Sequence, residues 1–259
     1  VFLARVIEQK KPGNLYNIIA SRAQGRHMQG QNIKAVIKIL AEASGPNVLL
    51  EVLVGGRDDP DVGLQLVRPP HPPEIARAFR RAAAADPTAK LYLNEAQCDN
   101  NGAGLGPVIR PALLQLVDEL KQAGVPVYGV GLESHLDMGM SYDDTQFASY
   151  CAQLAAKGVK ISISELDVRD FTLPEDPATR DKLIADRIQT FLTKALAVPA
   201  VDQVVTWGLS DKYSWLKALW RDRYGDTVRQ PRPLLYDEYM QKKAAWTAVS
   251  NALRSRRKR

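Results

Sequence analysis

From residue 47 onward the chain alternates short apolar runs with longer amphipathic stretches, a pattern that predicts repeated β-α units and a parallel sheet. The runs are Asn47 to Val54, Lys90 to Asn94, Val125 to Leu132, Val159 to Leu166 and Val201 to Leu209. Between them lie stretches with helical punctuation. Pro73 opens one that closes before Asp86-Pro87, because proline pushes the residue before it out of helical geometry. Pro111 opens a second that stops at Gly124. Asp143 or Asp144 caps a third, running from about Tyr142 to Gly158. Two more helices are predicted from about Ala178 to Ala197 and from about Asp237 to Leu253.

Five such units fill the chain from residue 47 to about 236, which leaves 46 residues upstream. Three further β-α units at the usual 30 or so residues each do not fit there. Reading Val1 to Ile7 as a strand and Gln31 to Ala43 as its helix raises the count to six strands. The expectation is therefore an α/β fold of (β/α)8 TIM-barrel type, incomplete, with the first two βα units missing. It divides into a divergent remnant (1–46), a barrel domain (47–253) and a basic tail (254–259). Fewer than eight strands leave exposed edges, so self-association through the open barrel edge is expected. Residues 8–32 and 55–73 read as loops, the second with four prolines between 69 and 73. Gly102-Ala-Gly-Leu-Gly106 lacks the following Lys and Ser or Thr of a phosphate loop and reads as an ordinary connection.

Composition adds exclusions. With 45% apolar and 25% charged residues the chain is of ordinary globular type. No run approaches the roughly 18 apolar residues of a membrane-spanning helix. The opening Val1-Phe-Leu-Ala-Arg5 carries neither a basic n-region nor a small-residue cleavage site, so no signal peptide is expected within it. The net charge of +6 is concentrated: residues 254–259 hold five of the 35 basic side chains, leaving 30 against 29 acidic ones. The body is nearly neutral, and no nucleic-acid partner is expected. Cys98 and Cys151 lack CxxC spacing, which supports no metal site and leaves one disulfide open. No cofactor is implied.

The chemistry gathers at strand ends, where a parallel barrel keeps its catalytic groups. Lys160-Ile-Ser-Ile-Ser-Glu165-Leu-Asp167 ends in two carboxylates two residues apart, which leave a strand on one face. Gly129-Val-Gly-Leu-Glu133-Ser-His135 ends in a carboxylate and an imidazole with the same spacing. Val48-Leu-Leu-Glu51 sets a single carboxylate in an apolar strand, where ionisation is costly and a general acid stays protonated.

From Glu74 to about Val249 these phrases resemble the C-terminal part of a glycoside hydrolase family 10 domain, the endo-β-1,4-xylanase family. They are Ala89-Lys-Leu-Tyr-Leu-Asn94, Gly129-Val-Gly-Leu-Glu-Ser-His-Leu136, Ile163-Ser-Glu-Leu-Asp-Val-Arg169 and Val205-Thr-Trp-Gly-Leu-Ser-Asp-Lys-Tyr-Ser-Trp215. Pro233-Leu-Leu-Tyr-Asp237 and Lys242-Lys-Ala-Ala-Trp246 resemble the family's last loop and helix. The resemblance implies a retaining glycosidase that cleaves internal bonds of xylan, a β-1,4-linked polysaccharide, outside the cell. It implies Glu165 as nucleophile, His135 and Asp167 as its supports, Asn94 beside it, and Trp207 and Trp215 walling the sugar subsites. Glu51 takes the place of the proton donor.

This chain departs from the family at several points. The tryptophan of the proton donor's phrase is absent, and Leu50 replaces the asparagine before it. Glu133 stands where the family has glutamine, adding a carboxylate beside Glu165, and Ala96-Gln97 replace Tyr-Asn. Two functions therefore stand side by side. The intact Glu165, His135, Trp207 and Trp215 favour a xylanase, whereas Leu50 and the missing strands favour a glycan-binding or inert remnant.

Overall fold

The computed structural model describes residues 34–43, 48–52, 72–99, 106–224 and 229–256. Its elements run β1 (Lys34–Ala43), β2 (Val48–Val52), α1 (Pro72–Ala85), β3 (Lys90–Glu95), α2 (Gly106–Gln122), β4 (Gly129–Leu132), β5 (His135–Asp137), α3 (Asp144–Ala156), β6 (Lys160–Arg169), α4 (Pro177–Ala195), β7 (Val201–Thr206), α5 (Leu216–Tyr224) and α6 (Ala244–Arg256). A 3₁₀ turn, Asp211–Tyr213, precedes α5. The strands β1, β3, β4, β6 and β7 lie side by side, all parallel. This is the β-α alternation expected of a barrel wall. Among the described residues the sheet stays open: β2 ends it on one side and β7 on the other.

Two expectations upstream of residue 55 are overturned. Gln31 to Ala43 is not a helix, because Lys34–Ala43 forms β1 in parallel register with β3, Lys38 opposite Asn94. Its Val36, Ile37 and Ile39 are β-branched, which favours a strand over a helix. Val48–Val52 is not a parallel barrel strand either. It pairs antiparallel with β1, Glu51 opposite Leu40. Only four residues separate Ala43 from Val48, and a parallel return needs a crossover of a dozen or more. The strand beside β3 is thus β1, and β2 lies one place further out. Val1 to Ile7 and the 102–105 part of the glycine run lie outside the described residues.

Downstream, the elements fall where the pattern puts them, with shifted ends. α2 starts at Gly106, five residues before Pro111; Pro107 fits because the first turn needs no backbone donor, whereas Pro111 lies inside the helix and gives up one backbone hydrogen bond. The strand predicted from Val125 begins only at Gly129, after Pro126. α6 starts at Ala244, since Tyr236 and Lys242 bridge to each other and keep 236–243 out of the helix. The first half of the basic tail is the last turn of α6, and Arg256 donates to the Pro199 carbonyl. Cys98 and Cys151 are both buried and free, so the disulfide left open by the sequence does not form. Among the described residues no helix is long and apolar enough to cross a membrane.

Helices cover the sheet with their apolar faces. Ile184, Ile188, Phe191 and Leu192 of α4 are buried, and Ala245, Ala248 and Ala252 let α6 pack close. The Phe147 and Phe191 rings lie 4.9 Å apart across α3 and α4. Each large side chain buried this way contributes about 1.5–3 kcal/mol. Asp143 caps α3 by accepting from the Thr145 and Gln146 amides, as its position predicts.

Beyond β7 the chain is held by a buried ion pair instead of a strand. Lys243 Nζ donates to Asp211 Oδ2 at 2.9 Å and to the Arg232 and Leu234 carbonyls, while the Leu234 amide donates to Asp211 Oδ1. Removing one partner strands the other charge in the interior. Lys243→Met should therefore lower the unfolding free energy by about 3–5 kcal/mol, and the paired change with Asp211→Asn should recover most of it. Urea unfolding of the three variants checks this; equal loss in single and double variants would show that the ion pair is not the cause.

Candidate active site

Four neighbouring strand ends bring their polar residues together. In the sheet, Asn94 of β3 is level with Gly131 of β4, and Gly131 with Ser162 of β6. Gly131 matters because a side chain there would collide with Asn94, its Cβ falling 2.0 Å from Asn94 Oδ1. The space lets the Asn94 amide lie across β4 toward β6. Ser164 Oγ donates to Asn94 Oδ1 at 2.6 Å and so fixes which end of the amide points onward. Asn94 Nδ2 then donates to Glu133 Oε1 at 3.2 Å and toward Glu165 Oε1 at 3.4 Å.

The break between β4 and β5 positions the imidazole. Ser134 has φ +63°, a left-handed conformation that costs a residue with a Cβ free energy. It interrupts one extended segment, whose two halves both pair with β6, and His135 is level with Asp167. His135 Nδ1 lies 2.8 Å from Asp167 Oδ1, and Nε2 lies 3.2 Å from Glu165 Oε2 and 3.5 Å from Glu133 Oε2. Two aromatic rings close the cluster. Trp215 follows the 3₁₀ turn and donates its indole N–H to Asp167 Oδ2 at 2.7 Å. Its ring stands 5.4 Å from the imidazole, and that of Trp207, just past β7, stands 6.2 Å away. Both tryptophans are half-buried, whereas Asn94, Glu133, Glu165 and Asp167 are buried.

Burial alone would lower the pKa of His135, but the charge and hydrogen bond of Asp167, with Glu165 and Glu133, outweigh it and raise it to about 10. The ring is thus an imidazolium clamped between carboxylates. The arrangement holds the Glu165 side chain in place by one amide and one imidazolium, with a ring-lined face beside it. Such a fixed carboxylate can attack an electrophilic carbon or stabilise a developing cation. One ligand atom each from Glu133, His135 and Glu165 also falls within 4.8 Å of the others, so the same three residues could hold a metal ion.

Six of the residues singled out in the sequence therefore meet at one place: Asn94, Glu133, His135, Glu165, Asp167 and Trp215, with Trp207 at the rim. Glu51 lies on β2, two strands from β3, and its side chain is outside the described residues. Two contributors were not singled out. Ser164, read only as part of its phrase, orients Asn94. Asp99 is buried after β3, and burial pushes it up to about 6 against a backbone hydrogen bond and the charges of His135, Arg110 and Arg169. A carboxylate in a post-strand loop gives no sequence signal of burial.

The imidazolium makes a prediction with a definite sign. Because folding raises the pKa of His135 above its ordinary 6.5, its contribution to stability is full below about pH 6.5 and is lost as pH rises to about 10. Asp167→Asn should move the His135 titration down, measured by imidazole nitrogen NMR, and should shrink the alkaline loss of stability. An unchanged midpoint would show that Asp167 is not what holds the proton.

Comparison with known proteins agrees with this geometry. The family model described as Glycosyl hydrolase family 10 matches residues 74–252. Endo-1,4-beta-xylanase 5 of Pyricularia oryzae is 34% identical over 179 residues, covering 69% of this chain and 41% of that protein. Native xylanase 10B from Thermotoga maritima superposes with a TM-score of 0.60 at 28% identity, covering 73% of this chain and 54% of that one. Xylanase 10B from Thermotoga petrophila RKU-1, solved with xylobiose, gives 0.60 at 29% identity over 71% of this chain and 52% of that one. The chain thus spans less than half the length of the curated relative and about half of each solved structure.

Proposed function

The chain belongs to glycosyl hydrolase family 10, and on that premise we propose that it is a retaining hydrolase of endo-β-1,4-xylanase type, acting on internal bonds of xylan. The observation that carries the proposal is the grip on Glu165 by Asn94 and His135. In a retaining mechanism this carboxylate attacks the anomeric carbon as the leaving oxygen takes a proton. Water then hydrolyses the glycosyl-enzyme ester, the proton donor now acting as base. The His135 imidazolium faces Glu165 Oε2, and Asp167 keeps His135 in place. The half-buried Trp207 and Trp215 offer apolar faces beside Glu165, on which sugar rings stack. Asn94 and Glu133 present an amide and a carboxylate to sugar hydroxyls. The relative solved with xylobiose supports a xylan-type substrate. A polymer too large to enter a cell favours action outside it.

We assign the proton donor to Glu51. Its register position, opposite Leu40, falls two residues along β1 from the Lys38–Asn94 pair. Glu42 is the competitor, since it lies on β1, the direct neighbour of β3. Self-association through the sheet edge at β2 belongs to the same proposal, as does a barrel domain that takes in β1 upstream of residue 47 and runs through α6 to Arg256 in place of boundaries at 46 and 253. Light scattering after size exclusion reads the association.

Purified chain should release reducing sugar from soluble xylan, and Glu165→Ala should lower the rate by at least about a thousandfold while circular dichroism stays unchanged. A folded wild type that releases nothing would overturn the enzymatic reading and leave a glycan-binding or inert remnant. Glu51→Gln should lose xylan cleavage yet retain the first step on an aryl xyloside whose leaving group needs no proton. The same pattern in Glu42→Gln, with Glu51→Gln fully active, would move the role to Glu42.

A further inference from the structure

The spacing of cysteines and histidines gives no hint of a metal, yet three ligand-type atoms converge at the strand ends. His135 Nε2 lies 3.2 Å from Glu165 Oε2 and 3.5 Å from Glu133 Oε2. A tetrahedral zinc ion with bonds of about 2.0–2.2 Å sets its ligands about 3.4 Å apart, which matches both separations. The other end of each group is tied off. His135 Nδ1 is bonded to Asp167 Oδ1, and the Oε1 atoms of Glu133 and Glu165 both face the Asn94 amide, itself fixed by Ser164. A metal-ligating histidine commonly has this carboxylate behind it, and ligating carboxylates commonly have such a donor behind them.

The chemistry of the lining points the same way. Glu133, Glu165 and Asp167 are buried around one imidazole, so carboxyl oxygens lie beside both of its ring nitrogens. A buried set of carboxyl oxygens and one imidazole nitrogen is a donor set that suits a dication. His135 keeps 16% of its side chain exposed, which leaves an approach from solvent.

We propose that Glu133, His135 and Glu165 form a binding site for a divalent cation of zinc type, through Glu133 Oε2, His135 Nε2 and Glu165 Oε2, with water as the fourth ligand. On binding, the Nε2 proton leaves to solvent and the nitrogen lone pair forms the metal bond, with no change of oxidation state. One imidazole and two carboxylate oxygens suit zinc or cobalt, and not calcium or magnesium, which prefer six or more oxygens. The bound cation would occupy the carboxylate assigned as nucleophile and so oppose hydrolysis. That consequence rests on the xylanase reading; the metal site does not.

The test titrates the full, chelator-treated chain with zinc by calorimetry, with magnesium as a comparison, and records the visible spectrum with cobalt. One saturable zinc site per chain is expected, no magnesium binding, and an intense cobalt spectrum of tetrahedral type. Glu133→Gln and His135→Gln should each weaken zinc by at least about tenfold. Absence of saturable binding to the folded wild type would overturn the site. So would zinc affinity unchanged in folded Glu133→Gln and His135→Gln, or an octahedral cobalt spectrum. The wild-type spectrum gives this answer even where a variant fails to fold. Calorimetry involves no sugar, and xylan hydrolysis measured in chelator involves no metal, so the two proposals fail separately.

Discussion

Burying Glu133, Glu165 and Asp167 around one imidazole is eased by the positive charge that His135 carries between them. Carboxyl groups gathered in a low-dielectric interior are costly, and a cation hydrogen-bonded among them offsets that cost. The imidazolium binds Asp167 on one nitrogen and faces Glu165 and Glu133 with the other. Everything near it serves to keep that ring in its plane. Ser134 accepts a left-handed backbone, Trp215 donates to the far oxygen of Asp167, and the Asn94 amide takes the remaining carboxylate oxygens.

The sheet makes the cluster affordable. Parallel register sets Asn94, Gly131 and Ser162 level on adjacent strands, and the missing side chain at Gly131 opens the lane through which Asn94 reaches β6. Beneath, the apolar faces of α2, α3 and α4 cover the strands and exclude water. Beyond β7 a second buried charge, Lys243 with Asp211, ties the last loops to one another. Both polar clusters are held rigid by neighbours on separate segments, so each depends on the chain closing over it.

Downstream of residue 72 the fold was legible because helices and strands there carry strong periodic signals and clear caps. Asp143 as N-cap, Pro177 at the start of α4 and the buried runs of β3 and β6 follow from local preference. Upstream the sequence misled. Lys34–Ala43 mixes Ala, Leu and Lys with Val and Ile, so its local preference is divided, and pairing with β3 decided for a strand. Direction was equally hidden: an apolar run says that a strand is buried, but the length of the connection says which way it runs. The four residues between Ala43 and Val48 force a hairpin and move Glu51 one place away from the strand beside Asn94.

By itself the sequence determined which residue types are present at strand ends and in which order, since spacing by two on a strand fixes a shared face. Glu165 with Asp167 and Glu133 with His135 are of that kind. Only the tertiary structure decided which atoms meet. That Asn94 would reach over a glycine, that Ser164 would turn its amide, and that Asp99 would be buried near the same imidazole depend on strand register and loop closure. Register is set by contacts between segments distant in the chain, and no local pattern encodes them.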